Sequence, residues 1–106
     1  MSIRHIVLFE LREGVSRNDP AVQRAAALSR SHPKHIDEIE DWWAGFDLTG
    51  RDISVDFMVM GSFATPRALE RFAVHPHHRQ GVEAWSKIAN WHVIDVDEAE
   101  SRLTKD

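Results

Sequence analysis

Three of the chain's seven histidines fall within four positions, in the run Phe72-Ala73-Val74-His75-Pro76-His77-His78-Arg79. Imidazole, with an unperturbed pKa of about 6.5, is the side chain that most readily gives and takes protons near neutrality. His78 follows Pro76 at the start of a helical pattern. The partial positive charge of a helix N-terminus disfavours added charge there and keeps the ring neutral. A neutral imidazole in an apolar cavity is a suitable general base. A second histidine, His5, stands in the first apolar run of the chain. His5 and His78 are the candidate catalytic pair, one acting as base and the other as hydrogen-bond donor to a carbonyl. His75 closes a helix, where it can meet the last carbonyls, and counts as a ligand-contacting residue. His77 reads as solvent-facing, and His32 and His35, flanking Pro33, carry no functional assignment. A metal site built from His75, His77 and His78 has no carboxylate or cysteine nearby in sequence, so no metal is expected. The absence of cysteine and tyrosine removes thiolates and phenols from the possible acids, bases and nucleophiles.

The elements that would position these groups follow from pattern. Ile3 to Leu11 is a strand with His5, Val7 and Phe9 on one face and Ile6 and Leu8 on the other. Both faces are apolar at the middle, which predicts a sheet covered twice, by its own helices and by a second copy of the chain. Asn18-Asp19-Pro20 pairs a capping side chain with proline at the first helical position and starts a helix that Pro33 stops near Ser31. Ile36 to Phe46 reads as the second strand. It opens on an acidic, solvated run and carries Trp42 and Trp43 on opposite faces, which suits core or interface packing for both, or alternatively one in the pocket and one at the dimer contact. Ile53 to Phe63 reads as the third strand, with Gly61 marking a bend. Thr65-Pro66 starts a second helix with Leu69, Phe72 and Ala73 on one face, and Pro76 ends it. A looser helical stretch from His77 puts Val82 and Trp85 on one side. Trp91 to Val96 is the last strand. The order strand, helix, strand, strand, helix, strand is the split βαβ plan of ferredoxin-like folds. The expected class is α+β, a four-stranded antiparallel sheet with helices on one face.

With 106 residues, one domain is expected, over residues 1–97, followed by a frayed charged tail over 98–106. A net charge of −4 argues against a nucleic-acid surface, which needs clustered cations. No apolar run approaches the roughly 20 residues of a membrane span, and no signal-peptide pattern opens the chain, so a cytoplasmic location is expected.

Arg4-His5-Ile6-Val7-Leu8-Phe9, with His75-Pro76-x-His78 after an amphipathic helix, resembles the stress-responsive dimeric A/B barrel (Dabb) family. The Gly45-x-Asp47 close of the second strand and the Phe63 end of the third fit as well. The resemblance covers about Ser2 to Asp97. It implies a homodimer whose sheets face each other, and a cavity in each subunit between sheet and helices. More distantly, the chain is similar to olivetolic acid cyclase, a plant polyketide cyclase of this fold. That similarity implies a catalytic base at His78 and a pocket histidine at His5. Phe72 and Phe57 stand where the cyclase has a tyrosine and a histidine. If the last strand follows the family, His92 faces the same space. The wall would then comprise Val7, Phe9, Phe57, Val59, Leu69, Phe72, Val82, Trp85 and Ile94, which suits an apolar or aromatic small molecule.

Three functions fit. The first is a cofactor-free acid–base enzyme of cyclase, lyase or isomerase type, acting on an apolar carbonyl compound. The second is a non-catalytic ligand-binding or stress-response module. The third is a monooxygenase or haem-binding member of the wider barrel group.

Overall fold

A computed structural model describes residues 1–105. Its elements are β1 (Ile3–Leu11), α1 (Pro20–His35), β2 (Asp41–Phe46), β3 (Phe57–Phe63), α2 (Pro66–Val74), α3 (Pro76–Ser86), β4 (Ala89–Asp97) and the single turn α4 (Glu98–Ser101). The four strands form one antiparallel sheet in the order β2-β3-β1-β4. This is the expected four-stranded antiparallel α+β plan.

Both cap-then-proline signals start helices. The Asp19 carboxylate accepts from Ala21 N, and Thr65 Oγ1 accepts from Ala68 N. Each satisfies a helix-end amide that has no intrahelical partner. The expected stop at Pro33 does not occur, and α1 runs to His35 with Pro33 inside it. Proline cannot donate to the carbonyl one turn back, at Ser29. That carbonyl instead accepts from the Trp42 indole Nε1–H at 2.9 Å. The extra turn carries His32 onto the inner side of the helix.

The second and third strands are shorter than expected. Ile36 is fully buried as the cap of α1, and the acidic run after it is a turn, so β2 begins only at Asp41. Ile53 is exposed in a loop, and β3 begins at Phe57. Just before it, Asp56 bonds the β1 end through its own amide and carboxylate, to Phe9 O and from Leu11 N.

Register decides which side chains share a face. His5 pairs with Gly61 and Asp95, Val7 with Val59 and Val93, and Phe9 with Phe57 and Trp91. On this face Val7, Phe9, Phe57 and Val59 build the core with Val22, Ala25, Ala26 and Trp85, and Trp42, Ala44, Phe46 and Trp91 pack against it. A second cluster of Ile36, Phe63, Ala68 and Phe72 lies under α2. The opposite face carries Ile6, Leu8, Met58, Met60, Ile94 and Val96, and the short α4 flanks it at the Arg4 and Val96 end. Trp42 turns inward and Trp43 outward, the latter half exposed under Arg4. Gly61 marks no bend. It leaves the space occupied by the Trp42 ring, whose Cε3 lies 2.5 Å from where a Gly61 Cβ would stand.

The start of the tail is held. Glu98 receives a hydrogen bond from Ser62 Oγ and pairs with Arg4, and its amide bonds Ser2 O.

Candidate functional site

Between the inner face of the sheet and the helices lies a cavity of about 120 Å³. β1 supplies His5, Val7 and Phe9, β3 supplies Val59, and β4 supplies Trp91 and Val93. The helices close it with Ser29 and His32 of α1, Phe72 of α2, and His78, Gly81, Val82 and Trp85 of α3. Trp42 of β2 completes the wall. Alternation along β1 puts every second residue inward. Trp85 is buried and stacks on Phe9 at 4.4 Å, so the floor of the cavity is aromatic.

His5 and His78, far apart in sequence, thus meet one cavity. Phe72 lies between them, its ring 5.6 Å from His5 and 4.2 Å from His78. His5 Nδ1 lies 2.6 Å from Asp95 Oδ1. An ionised carboxylate only accepts, so Nδ1 carries the hydrogen and Nε2 is left free. His78 Nδ1 lies 3.0 Å from Ala73 O near the end of α2, and by the same reasoning donates and leaves Nε2 free. Burial lowers the pKa of His78. The bond to Ala73 opposes this, and the nearby His5 and His75 rings add to it. The ring is therefore a neutral base at neutral pH, chiefly because it is desolvated.

Of the other expected wall residues, Val7, Phe9, Val59, Phe72, Val82 and Trp85 line the cavity and five do not. Phe57 is core, fully buried among Phe46, Phe9 and Trp85. Leu69 packs on the cluster under α2. His75 caps α3, its Nδ1 accepting from His77 N at 3.0 Å. His92 and Ile94 pair with Leu8 and Ile6 and so point to the uncovered face. The residues Trp91 to Val96 are apolar on both parities. Their alternation did not reveal which face was inward, and the antiparallel register with β1 decides it.

Three further residues at the site carry no local signal in the sequence. Nothing local ties Asp95 to His5, ninety positions away. Ser29 Oγ accepts from the Trp85 indole at 2.9 Å. His32, expected in a loop, is almost fully buried on the cavity wall, its Nδ1 2.7 Å from His77 Nδ1. Its pKa is pushed down to about 3, first by burial and then by the rings of His78, His77, His35 and His75. His77 is half-buried between α1 and the start of α3, stacked on His35. Among the described residues no group of three or more His, Cys, Asp or Glu side chains is arranged to hold a metal ion. No helix among them is long and apolar enough to cross a membrane.

The uncharacterized protein SCO4036 of Streptomyces coelicolor is 33% identical over 95 residues, covering 90% of this chain and 98% of that protein. Among solved structures, a dimeric Bacteroides fragilis protein of ferredoxin-like fold and unknown function superposes with a TM-score of 0.81 at 18% identity, covering 91% of this chain and 95% of that one. The hydroxynitrile lyase of Passiflora edulis superposes with a TM-score of 0.71 at 15% identity, covering 92% and 94%. At these identities the two structures share the fold alone with this chain. The model of the stress responsive A/B barrel domain matches residues 3–98, and with the sequence relative it shows that this chain belongs to that family.

Proposed function

We propose that this chain is a homodimeric small-molecule protein whose cavity carries out cofactor-free histidine acid–base chemistry, of cyclase, lyase or isomerase type, on an apolar carbonyl compound. The observation that carries the reading is the shared cavity of His5 and His78, each with Nδ1 occupied and Nε2 free. Nε2 of neutral His78 takes a proton from the substrate. The imidazolium keeps its Nδ1–H on Ala73 O and, because its pKa is lowered, returns the proton readily. Asp95 fixes the ring of His5 with Nε2 turned to the remaining polar group of the ligand. Aromatic walls exclude water and hold the apolar frame. The lyase activity named for the Passiflora protein of the same fold supports the lyase branch.

The homodimer reading rests on the uncovered apolar face of the sheet, together with the dimeric state described for the Bacteroides protein. The contact would run through Leu8, Met60, Ile94 and their neighbours on that face.

The test is a screen of small carbonyl compounds for turnover, repeated with His78→Ala. Loss of turnover with unchanged circular dichroism and sedimentation is expected. Normal turnover in the variant would overturn the assignment. Binding without conversion in the wild-type protein would favour a non-catalytic binding module instead. The cavity volume speaks against haem: a cavity of about 150 Å³ takes one benzene ring, and this one is smaller.

A further inference from the structure

His32 belongs to neither half of the proposed acid–base pair, yet it is buried on the same wall. Its Nδ1 faces His77 Nδ1 at 2.7 Å, so one ring donates and the other accepts. The direction follows from the neighbouring serine. Ser31 Oγ gives its single hydrogen to Leu28 O at 2.9 Å. In its long 3.5 Å contact with His77 Nε2 the serine has no hydrogen left to give, which favours the imidazole as donor. A neutral His77 with its hydrogen on Nε2 accepts at Nδ1, and His32 donates its Nδ1–H across the gap. His32 Nε2 is then a bare lone pair. It sits against Gly81, 2.9 Å from where a Cβ would stand. No fully buried side-chain nitrogen or oxygen among the described residues lacks a partner, so the opening left to Nε2 is the cavity.

Nε2 of neutral His78, whose Nδ1–H is held on Ala73 O, is a second acceptor on the same wall. The indole hydrogens of Trp42 and Trp85 are already used, on Ser29 O and Ser29 Oγ. Among the described residues no donor of the wall bonds Nε2 of His32 or of His78. An acceptor left unmet in a dry site loses its water without replacement, so a ligand that brings hydrogens is favoured over one that brings only oxygens. The volume limits the ligand to one ring at most.

We infer that His32 is a third ligand-facing group, held by His77 as a hydrogen-bond acceptor, and that the cavity selects a compact one-ring molecule with at least two hydrogen-bond donors. This rests on the reading of the cavity as a ligand site. It deepens that reading by requiring donors on the substrate frame besides its carbonyl.

The first measurement is a long-range proton–nitrogen NMR correlation on histidine-labelled protein. It should find His32 with its hydrogen on Nδ1, and a His32 carrying it on Nε2 overturns the inference. The second is an NMR titration with resorcinol and with 1,3-dimethoxybenzene, which share a ring but differ by two donors. Resorcinol should bind about tenfold tighter or more, the worth of one hydrogen bond or better. His32→Phe should shrink the difference, leaving the share that Nε2 of His78 accepts. His77→Phe, at a half-buried position, should shrink it by releasing the tautomer of His32, and it carries the test if His32→Phe fails to fold. Equal binding of both compounds by the wild-type protein, or a preference that neither substitution diminishes, overturns the inference and leaves the cavity a ligand site. Binding of neither compound overturns the inference and the ligand-site reading together.

Discussion

His5 and Asp95 face each other across the β1–β4 ladder with Nδ1 and Oδ1 2.6 Å apart. Side chains directly opposite in an antiparallel pair share a face, so the sheet itself delivers the carboxylate to the ring. The bond holds His5 in one tautomer and one orientation while Asp95 stays partly solvated. A strand-borne pair of this kind is more rigid than one placed on loops.

Asp95 is therefore expected to act through His5 rather than on the ligand. Asp95→Ala should lower turnover by roughly tenfold to a hundredfold, less than loss of the general base itself would cost. KM should change little, and the pH–rate profile should shift. Folding stability should move by less than about 1 kcal/mol, because the carboxylate is more than a third exposed. A large stability loss with an unchanged pH profile would assign Asp95 a structural role instead.

The buried histidines set a pH dependence of stability. The folded chain holds His32 down to about 3 and His78 below its usual value, whereas in the unfolded chain both return to about 6.5. Below that pH the unfolded state binds protons that the folded state refuses. Stability is thus full above about pH 6.5 and falls as the pH is lowered toward 3, by at most about 1.4 kcal/mol per pH unit for each such group. Urea midpoints measured from pH 7.5 to 4 should fall accordingly, with a shallower fall in His32→Phe. A flat wild-type profile would contradict the burial of neutral His32.

Gly61 is packed directly against an indole ring. A methyl group there would meet Trp42 Cε3 and Cζ3 at 2.5 and 2.7 Å. The indole cannot swing away freely, because its Nε1–H holds the carbonyl freed by Pro33. Gly61→Ala should therefore cost about 1–3 kcal/mol by overpacking, although alanine suits a strand no worse than glycine. Denaturant unfolding of the variant measures it, and an unchanged midpoint would mean that Trp42 has room to move.

The uncovered face predicts the assembly state. Leu8 and Ile94 are large, exposed and adjacent to Met58, Met60 and Ile6 across the ladder. A carboxylate placed among them would be desolvated on pairing with a second copy. Wild-type protein is expected to sediment as a dimer. Leu8→Asp is expected to sediment as a monomer with its helical circular dichroism retained. A monomeric wild-type protein would overturn the dimer reading.

Features that depend on neighbours in the chain were legible from the sequence. Asp19-Pro20 and Thr65-Pro66 started helices where expected, because a cap and a fixed φ act over a single turn. The alternation of β1 put His5, Val7 and Phe9 on one face, because the strand period is two whatever surrounds it. Order and type of the elements fixed the sheet plan. The tertiary structure decided what depends on distant partners. Pro33 stayed inside α1 because an indole from β2 took the carbonyl it left empty, and His32 reached the cavity as a result. His92 and Ile94 turned outward and Asp95 inward because β1 set the register of a strand that is apolar on both faces. A local pattern can say which residues share a face. Which face is buried, and what a side chain meets there, depends on contacts the chain makes only once it has folded.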